Sequence, residues 1–360
     1  AAADPAHHRA ALGGVDPPAA LGPAMTRWAA LAIVLAVSGA AAVPAANGGT
    51  GAAGSEGDER FALIVSGATG GEPYAAQQAK WRAALASALR ERLGVEGARI
   101  TILGEGGDPS RAAAGRRATA DELRRVFAGY TRLTSEDVLL VVLIGHGTAD
   151  TEEAKFNLVG PDLSAAEWRE LVRPIRGRVV FVNTSSASFP FLERLSGPRR
   201  VVITATDSIV QKFATIFPEY FIQALVDPGA DIDKNGRVSI WEAFSAASLA
   251  VRQHYEQRGQ LTTERALLDD NGDGVGREAG TPGGDGSLAS RIYLDAYSGP
   301  EAATDPVLVE LLQRRAALEA EVDELRARKP LMPAADYAAE FERLMIDLAR
   351  VSRDVRRRKS

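Results

Sequence analysis

The most apolar run in the chain ends in Leu143-Ile-Gly-His146-Gly147-Thr148, which sets a histidine where a general base would work. Gly147 lets backbone approach a ligand closely and leaves its N–H for an oxyanion. The following apolar run ends in hydroxyl side chains, Val182-Asn183-Thr184-Ser185-Ser186-Ala187-Ser188, a source of nucleophiles. Each has a structural alternative, the His-Gly as a plain strand end and the serines as a turn. Beyond the N-terminal leader the only other histidine is His254, mid-helix among Arg and Gln, which reads as solvated. Histidine base chemistry therefore has one candidate. The chain has no cysteine at all, which excludes disulfides, thiolate metal ligands and a thiol nucleophile.

A second chemistry is written in carboxylates. Asp231-Ile-Asp233-Lys-Asn235-Gly236-Arg237-Val-Ser239-Ile-Trp-Glu242 fits the twelve-residue EF-hand loop at every position. Oxygen side chains stand at places 1, 3, 5 and 9, Gly at 6, the Arg237 carbonyl at 7 and Glu at 12. Calcium in a structural role is the expected ligand; the alternative is an acidic turn that caps a helix at Ser239. Asp269-Asp-Asn271-Gly-Asp273-Gly274-Val begins a similar loop, but Gly280 stands where Glu should, and Glu278 comes two residues early. That second loop is a weaker metal candidate through Asp269, Asn271 and Asp273, or an Asx-rich turn.

These residues need a frame. Strands are expected at 61–65, 99–103, 137–144, 178–182 and 200–205, alternating with helices at 72–93, 119–133, 164–175, 189–196, 218–225 and 240–258. Thr119 and Glu122 form a capping-box pair, and Gly94 closes the first helix. Strand and helix in alternation predict an α/β fold, a mostly parallel sheet with helices on both faces and sites at the carboxyl ends of its strands. Residues 305–358 change character. Leu308, Leu311, Leu318, Val322 and Leu325 follow three-and-four spacing with Arg315 interrupting, and Tyr337, Phe341, Leu344, Leu348, Val351 and Val355 continue it after a Pro break. This is a helical hairpin, or one half of an intermolecular coiled coil and so a route to self-association.

At 360 residues, with 46% hydrophobic residues, 25% charged residues and a net charge of −5, the chain is ordinarily globular, and its mild acidity argues against bulk nucleic-acid binding, which needs a basic face. Residues 1–24 read as disordered or as lying upstream of a start at Met25. Residues 25–46 read as a secretory signal, with Arg27 before a short apolar run and small residues after it, and 47–59 as a linker. The expectation is export without a lasting membrane span; a retained anchor is the alternative. Freedom from cysteine suits an oxidising compartment.

With both strand ends in view, the region 60–300 resembles the caspase-like cysteine peptidases of the legumain type (clan CD, C13-like). In that family a hydrophobic strand ends in His-Gly, and the next ends in a short Glu/Asp-Ala-Cys-x-Ser-Gly-like motif. His146-Gly147 matches the first, Asn183 to Ser188 the second with Ser185 in the cysteine's place, and Val202 to Ser208 the following strand. The resemblance implies a catalytic His146, an oxyanion donor at Gly147, a nucleophile position at Ser185 and a substrate pocket bordered by Asp207 and Ser208. The departure is chemical. A thiol of pKa about 8.5 yields thiolate unaided, whereas a serine hydroxyl needs a base in direct reach, itself held by a third group. No orienting carboxylate is evident in the sequence. The expectation is a secreted, calcium-binding peptidase homologue without activity that holds a peptide or protein partner. The alternatives are an active Ser185–His146 hydrolase and a scaffold acting through its hairpin.

Overall fold

Five runs of mostly Val, Ile and Leu form the parallel part of one sheet: β1 (Arg60–Ser66), β2 (Ile100–Leu103), β3 (Val138–Ile144), β7 (Arg178–Asn183) and β8 (Arg200–Thr204). The computed structural model describes residues 59–106, 116–150, 153–281, 283–295, 305–329 and 332–359. The expectations for 1–24 and 25–46, and for 47–59 apart from Glu59, lie outside these residues. Every residue of β3 is buried, as a strand covered on both faces must be. A sixth strand, β9 (Leu267–Asp269), joins β8 antiparallel at the edge, giving the order β2-β1-β3-β7-β8-β9.

Alternation along the strands divides the core in two. Ala62, Ile64, Leu140, Val142, Val180, Val182 and Ile203 face α1 (Glu72–Ser87), α5 (Phe217–Ala224) and α6 (Ile240–Gln257). Leu63, Val65, Leu139, Val141, Leu143, Phe181 and Val202 face α2 (Ala120–Tyr130), α3 (Ala165–Val172) and α4 (Phe189–Leu195). The fold is thus α/β with helices on both faces of a mostly parallel sheet, as expected. Between β3 and α3 the chain adds a small antiparallel sheet of β4 (Gly147–Ala149), β5 (Ala154–Phe156) and β6 (Leu163–Ser164), too short to announce itself by periodicity.

Helix ends follow local chemistry. After α1 a π-turn at Ala88–Arg92 carries the chain to Gly94, whose φ of 70° closes the element. Thr119 accepts a hydrogen bond from Glu122 N, but only one arm of the expected box forms, because the Glu122 carboxylate pairs with Arg116 and Arg125 instead. Full boxes stand at Ser164/Glu167 and Ser239/Glu242.

The C-terminal residues form α7 (Pro306–Arg328) and α8 (Ala334–Lys359), which pack on each other around Leu318, Val322, Leu325, Leu344 and Leu348. The hairpin reading therefore holds within one chain. Leu312, not Leu311, takes the fully buried place, and Arg315 is 7% exposed at its core position, beside Glu319. Among the described residues no helix is long and apolar enough to cross a membrane.

Candidate functional site

His146 leaves the sheet at the end of β3, after Gly145 at a φ of 153° that brings it against Gly67. Its Nε2 donates to the Thr69 carbonyl at 3.1 Å, and its ring stands edge-on to Tyr74 with centroids 4.7 Å apart. Because a carbonyl can only accept, Nε2 carries the proton, which leaves Nδ1 as the ring's base atom. Thr69 is itself held: its N–H and hydroxyl donate to the Glu105 carboxylate at 3.2 and 2.6 Å. Those donations hold the Glu105 carboxyl below the usual carboxylate range. The orienting group that the sequence did not reveal is thus a backbone carbonyl with a carboxylate behind it. Both come from the carboxyl ends of other strands, β1 and β2, with no motif around them.

Ser185 follows β7, the direct parallel neighbour of β3. It is fully buried, and its hydroxyl donates to Asn183 Oδ1 at 2.7 Å, with the Ser186 carbonyl at 3.2 Å. Asn183 Oδ1 also accepts the Ser185 N–H at 3.0 Å. Among the described residues no hydrogen bond joins Ser185 to His146. The two loops meet instead through Ser186, whose hydroxyl donates to the Gly147 carbonyl at 3.1 Å. The Gly147 N–H, expected to be available to an oxyanion, points at Ser186 Oγ at 3.4 Å. Gly147 is required here by space, since a Cβ on it would lie 2.6 Å from Ser185 Oγ and 2.4 Å from the Ser186 carbonyl.

His146 lines a cavity of about 290 Å³ together with Tyr74, Gln78, Trp81, Thr184, Thr215 and Glu219, on the face covered by α1 and α5. Ser185 is not on its wall. Thr184 is, but its hydroxyl is committed to the Leu143 carbonyl at 2.6 Å. Trp81 Nε1 is buried with no acceptor. Asp207 and Ser208 do not line this cavity. Asp207 sits 3.9 Å from exposed Arg265, and Ser208 Oγ accepts from Val210 N at 3.3 Å. Thr215 and Ile216, further along the same segment, reach the cavity instead. His254 is half-buried rather than solvated, with Nδ1 2.8 Å from Tyr220 OH, and burial lowers its pKa.

The acidic loop at 231–242 brings carboxylate oxygens of Asp231, Asp233 and Glu242 within 4.8 Å of one another. Asn235 folds back on Asp233 and donates to Tyr293 OH at 2.9 Å. The Arg237 side chain is bidentate to Asp295 and stacks over Tyr293, leaving its carbonyl as the position-7 group. Ser239 caps α6 by accepting the Glu242 N–H, and the Glu242 carboxylate accepts the Ser239 N–H in return, so the loop's last oxygen donor is also the capping-box partner. Burial raises the Asp231 carboxyl, and burial with the Glu242 charge raises Asp233 to about 6. Asp231 Oδ1 is buried without a hydrogen bond. In the second loop Asp269, Asn271 and Asp273 are gathered by backbone and side-chain hydrogen bonds, but no third acid joins them within that spacing among the described residues.

No family model matches the chain, and no curated protein matches it. The solved structures that are similar to the chain include these three. Protein GSU0716 from Geobacter sulfurreducens shares 15% identity at a TM-score of 0.35, over 59% of this chain and 92% of that one. Caspase-1 from Spodoptera frugiperda shares 8% at 0.37, over 60% and 88%. The Drosophila initiator caspase Dronc shares 14% at 0.38, over 61% and 82%. These are likenesses of fold and carry nothing about chemistry.

Proposed function

We propose that residues 60–295 form a legumain-type, caspase-like peptidase homologue that binds a peptide or protein segment at the His146 cavity without cleaving it. The observation that carries this reading is the Ser185 hydroxyl, buried and donating to Asn183 rather than to His146. A hydroxyl far less acidic than a thiol gains nucleophilicity only from a base in contact, and here the contact is an amide oxygen. The cavity suits an extended peptide, with Glu219 at its wall and an aromatic edge at Tyr74. A secreted setting accords with the leader pattern read at 25–46.

The test is hydrolysis of a peptide library by the wild type, Ser185→Ala, Ser185→Cys and His146→Ala. Negligible turnover by the wild type is expected, with some recovered in Ser185→Cys, because His146 is already held with Nδ1 as its base atom. Wild-type turnover that vanishes in both Ser185→Ala and His146→Ala would overturn the inactive reading in favour of a serine hydrolase.

The same reading includes a calcium ion in the 231–242 loop. Its support is the full ligand spacing, three carboxylates in one cluster and the buried Asp231 Oδ1 that no donor reaches. Calcium at about one hundred times Kd should add about 2.7 kcal/mol of stability by mass action. Thermal melting in calcium and in chelator measures it, and coincident melts would refute the ion.

A further inference from the structure

The hairpin and the acidic loop touch. Ser352 Oγ of α8 donates to the Asn235 carbonyl at 2.9 Å, across 117 residues of chain. Arg356, one turn on, lies over the loop's glycine: a Cβ at Gly236 would be 2.9 Å from its Nη1. Arg326, near the end of α7, shares a cavity of about 230 Å³ with Asp233, Asn235 and Tyr293. The hairpin's core is a cluster of its own, separate from the two cores of the sheet. Within the loop, Arg237 is committed to Asp295. A separately packed element thus brings Arg356 to the loop's glycine and to a cavity shared with Asp231, and brings Arg326, with Glu319, to the cavity lined by Asp233.

We propose that the α7–α8 hairpin is a calcium-responsive clamp, with Arg326 and Arg356 compensating the loop's charge when no ion is bound and opposing the ion when it enters. The proposal rests on the calcium reading of 231–242. An ion of charge +2 repels both arginines, so docking of the hairpin and filling of the loop disfavour each other. By reciprocity, calcium weakens docking by the same factor by which docking weakens calcium binding, so a change that loosens docking strengthens calcium binding. Ser352 supplies the uncharged part of the docking and the two arginines the charged part.

The experiment is calcium titration of the full chain by calorimetry at low salt, with hydrogen exchange of 334–359 followed with and without the ion. Arg326→Gln and Arg356→Gln should each tighten calcium binding by about 3–10-fold, and the gain should shrink as salt rises. Ser352→Ala, which changes no charge, should also tighten it, by a smaller factor that persists in salt. Exchange in α8 should quicken when the wild type is saturated with calcium. Unchanged or weaker binding in the arginine variants, or exchange that calcium leaves alone or slows, overturns the clamp while leaving the ion in place. If the wild type takes up no calcium, matching Asp233→Asn, then the loop reading fails and the clamp with it.

Discussion

The two acidic loops are built alike through their first seven residues and closed differently. In each, the first aspartate accepts from the N–H of the glycine at the sixth place: Asp231 from Gly236 at 2.9 Å, Asp269 from Gly274 at 2.8 Å. In each, the third residue accepts from the fifth N–H, at 3.1 Å for Asp233 and 2.8 Å for Asn271. The fifth accepts from the seventh, at 2.8 Å for Asn235 and 2.7 Å for Asp273. The first loop then runs into a helix and returns Glu242, which accepts from the N–H groups at the second and third places, 2.8 Å from Ile232 and 3.2 Å from Asp233. The second runs back along β9, and the N–H at its own second place, Asp270, is taken at 3.1 Å by Asp285. Asp285 arrives from outside the run with Arg277 already 3.3 Å from its other oxygen. A carboxylate that closes such a loop can wait for a cation or bring its own; only the first loop leaves acids clustered without one inside it.

Removing each closing carboxylate should separate these two designs most. Glu242 is 4% exposed and its carboxylate accepts four hydrogen bonds, one of them the side-chain arm of the α6 capping box. Glu242→Ala should cost about 3–4 kcal/mol in chelator and abolish any stabilisation by calcium. Asp285→Asn strands Arg277, which is one-third exposed, so the loss should be about 2 kcal/mol. Calcium should still stabilise that variant. Urea unfolding with and without the ion reads both. Loss of the calcium effect in Asp285→Asn would mean that the second loop, not the first, holds the metal.

How much of this was legible follows from where the partners lie. The first loop is twelve consecutive residues, so spacing alone reveals it. The strands of the sheet are long β-branched runs such as Val138–Ile144, and their alternation with helices gives the fold class. Asp285, Thr69 and Glu105 act from other segments, and nothing in their own surroundings marks them. The three-residue β9 and the short β4–β6 sheet fall below any periodicity. Leu311 and Leu312 are equally apolar, so the side chain chosen for the hairpin core depends on how α7 meets α8. Ser185 could be placed on its strand end from the order of motifs, but its hydroxyl's preference for Asn183 is a matter of rotamer.

The fourth place of the loops gives the next contrast. Gly272 has a φ of 82°, and a Cβ there would stand 3.2 Å from the Gly197 carbonyl carbon, a backbone atom that cannot swing away. Gly272→Ala combines left-handed strain with a contact tighter than most, and should cost about 2 kcal/mol in urea unfolding. A loss under about 0.5 kcal/mol would show that this turn relaxes freely, and the likeness of the two loops would then be looser than their hydrogen bonds suggest.

The first loop carries Lys234 at that same place, exposed, with a φ of 60°. Here the side chain meets solvent, so only the backbone strain remains. Glycine relieves that strain, and the greater freedom it gives the unfolded chain offsets part of the gain. Lys234→Gly should therefore stabilise the chelated protein by about 0.5–1 kcal/mol. The lysine also favours the ionised form of Asp231, so its charge must be separated from its conformation. Lys234→Gln removes the charge and keeps the strain; measured in high salt, where the exposed charge is screened, it should differ little from wild type. The glycine variant should keep its gain in the same buffer. Equal stabilities for Gly and Gln at that salt would mean that position 4 of the first loop is unstrained, and that the two loops differ in their turn as well as in their closure.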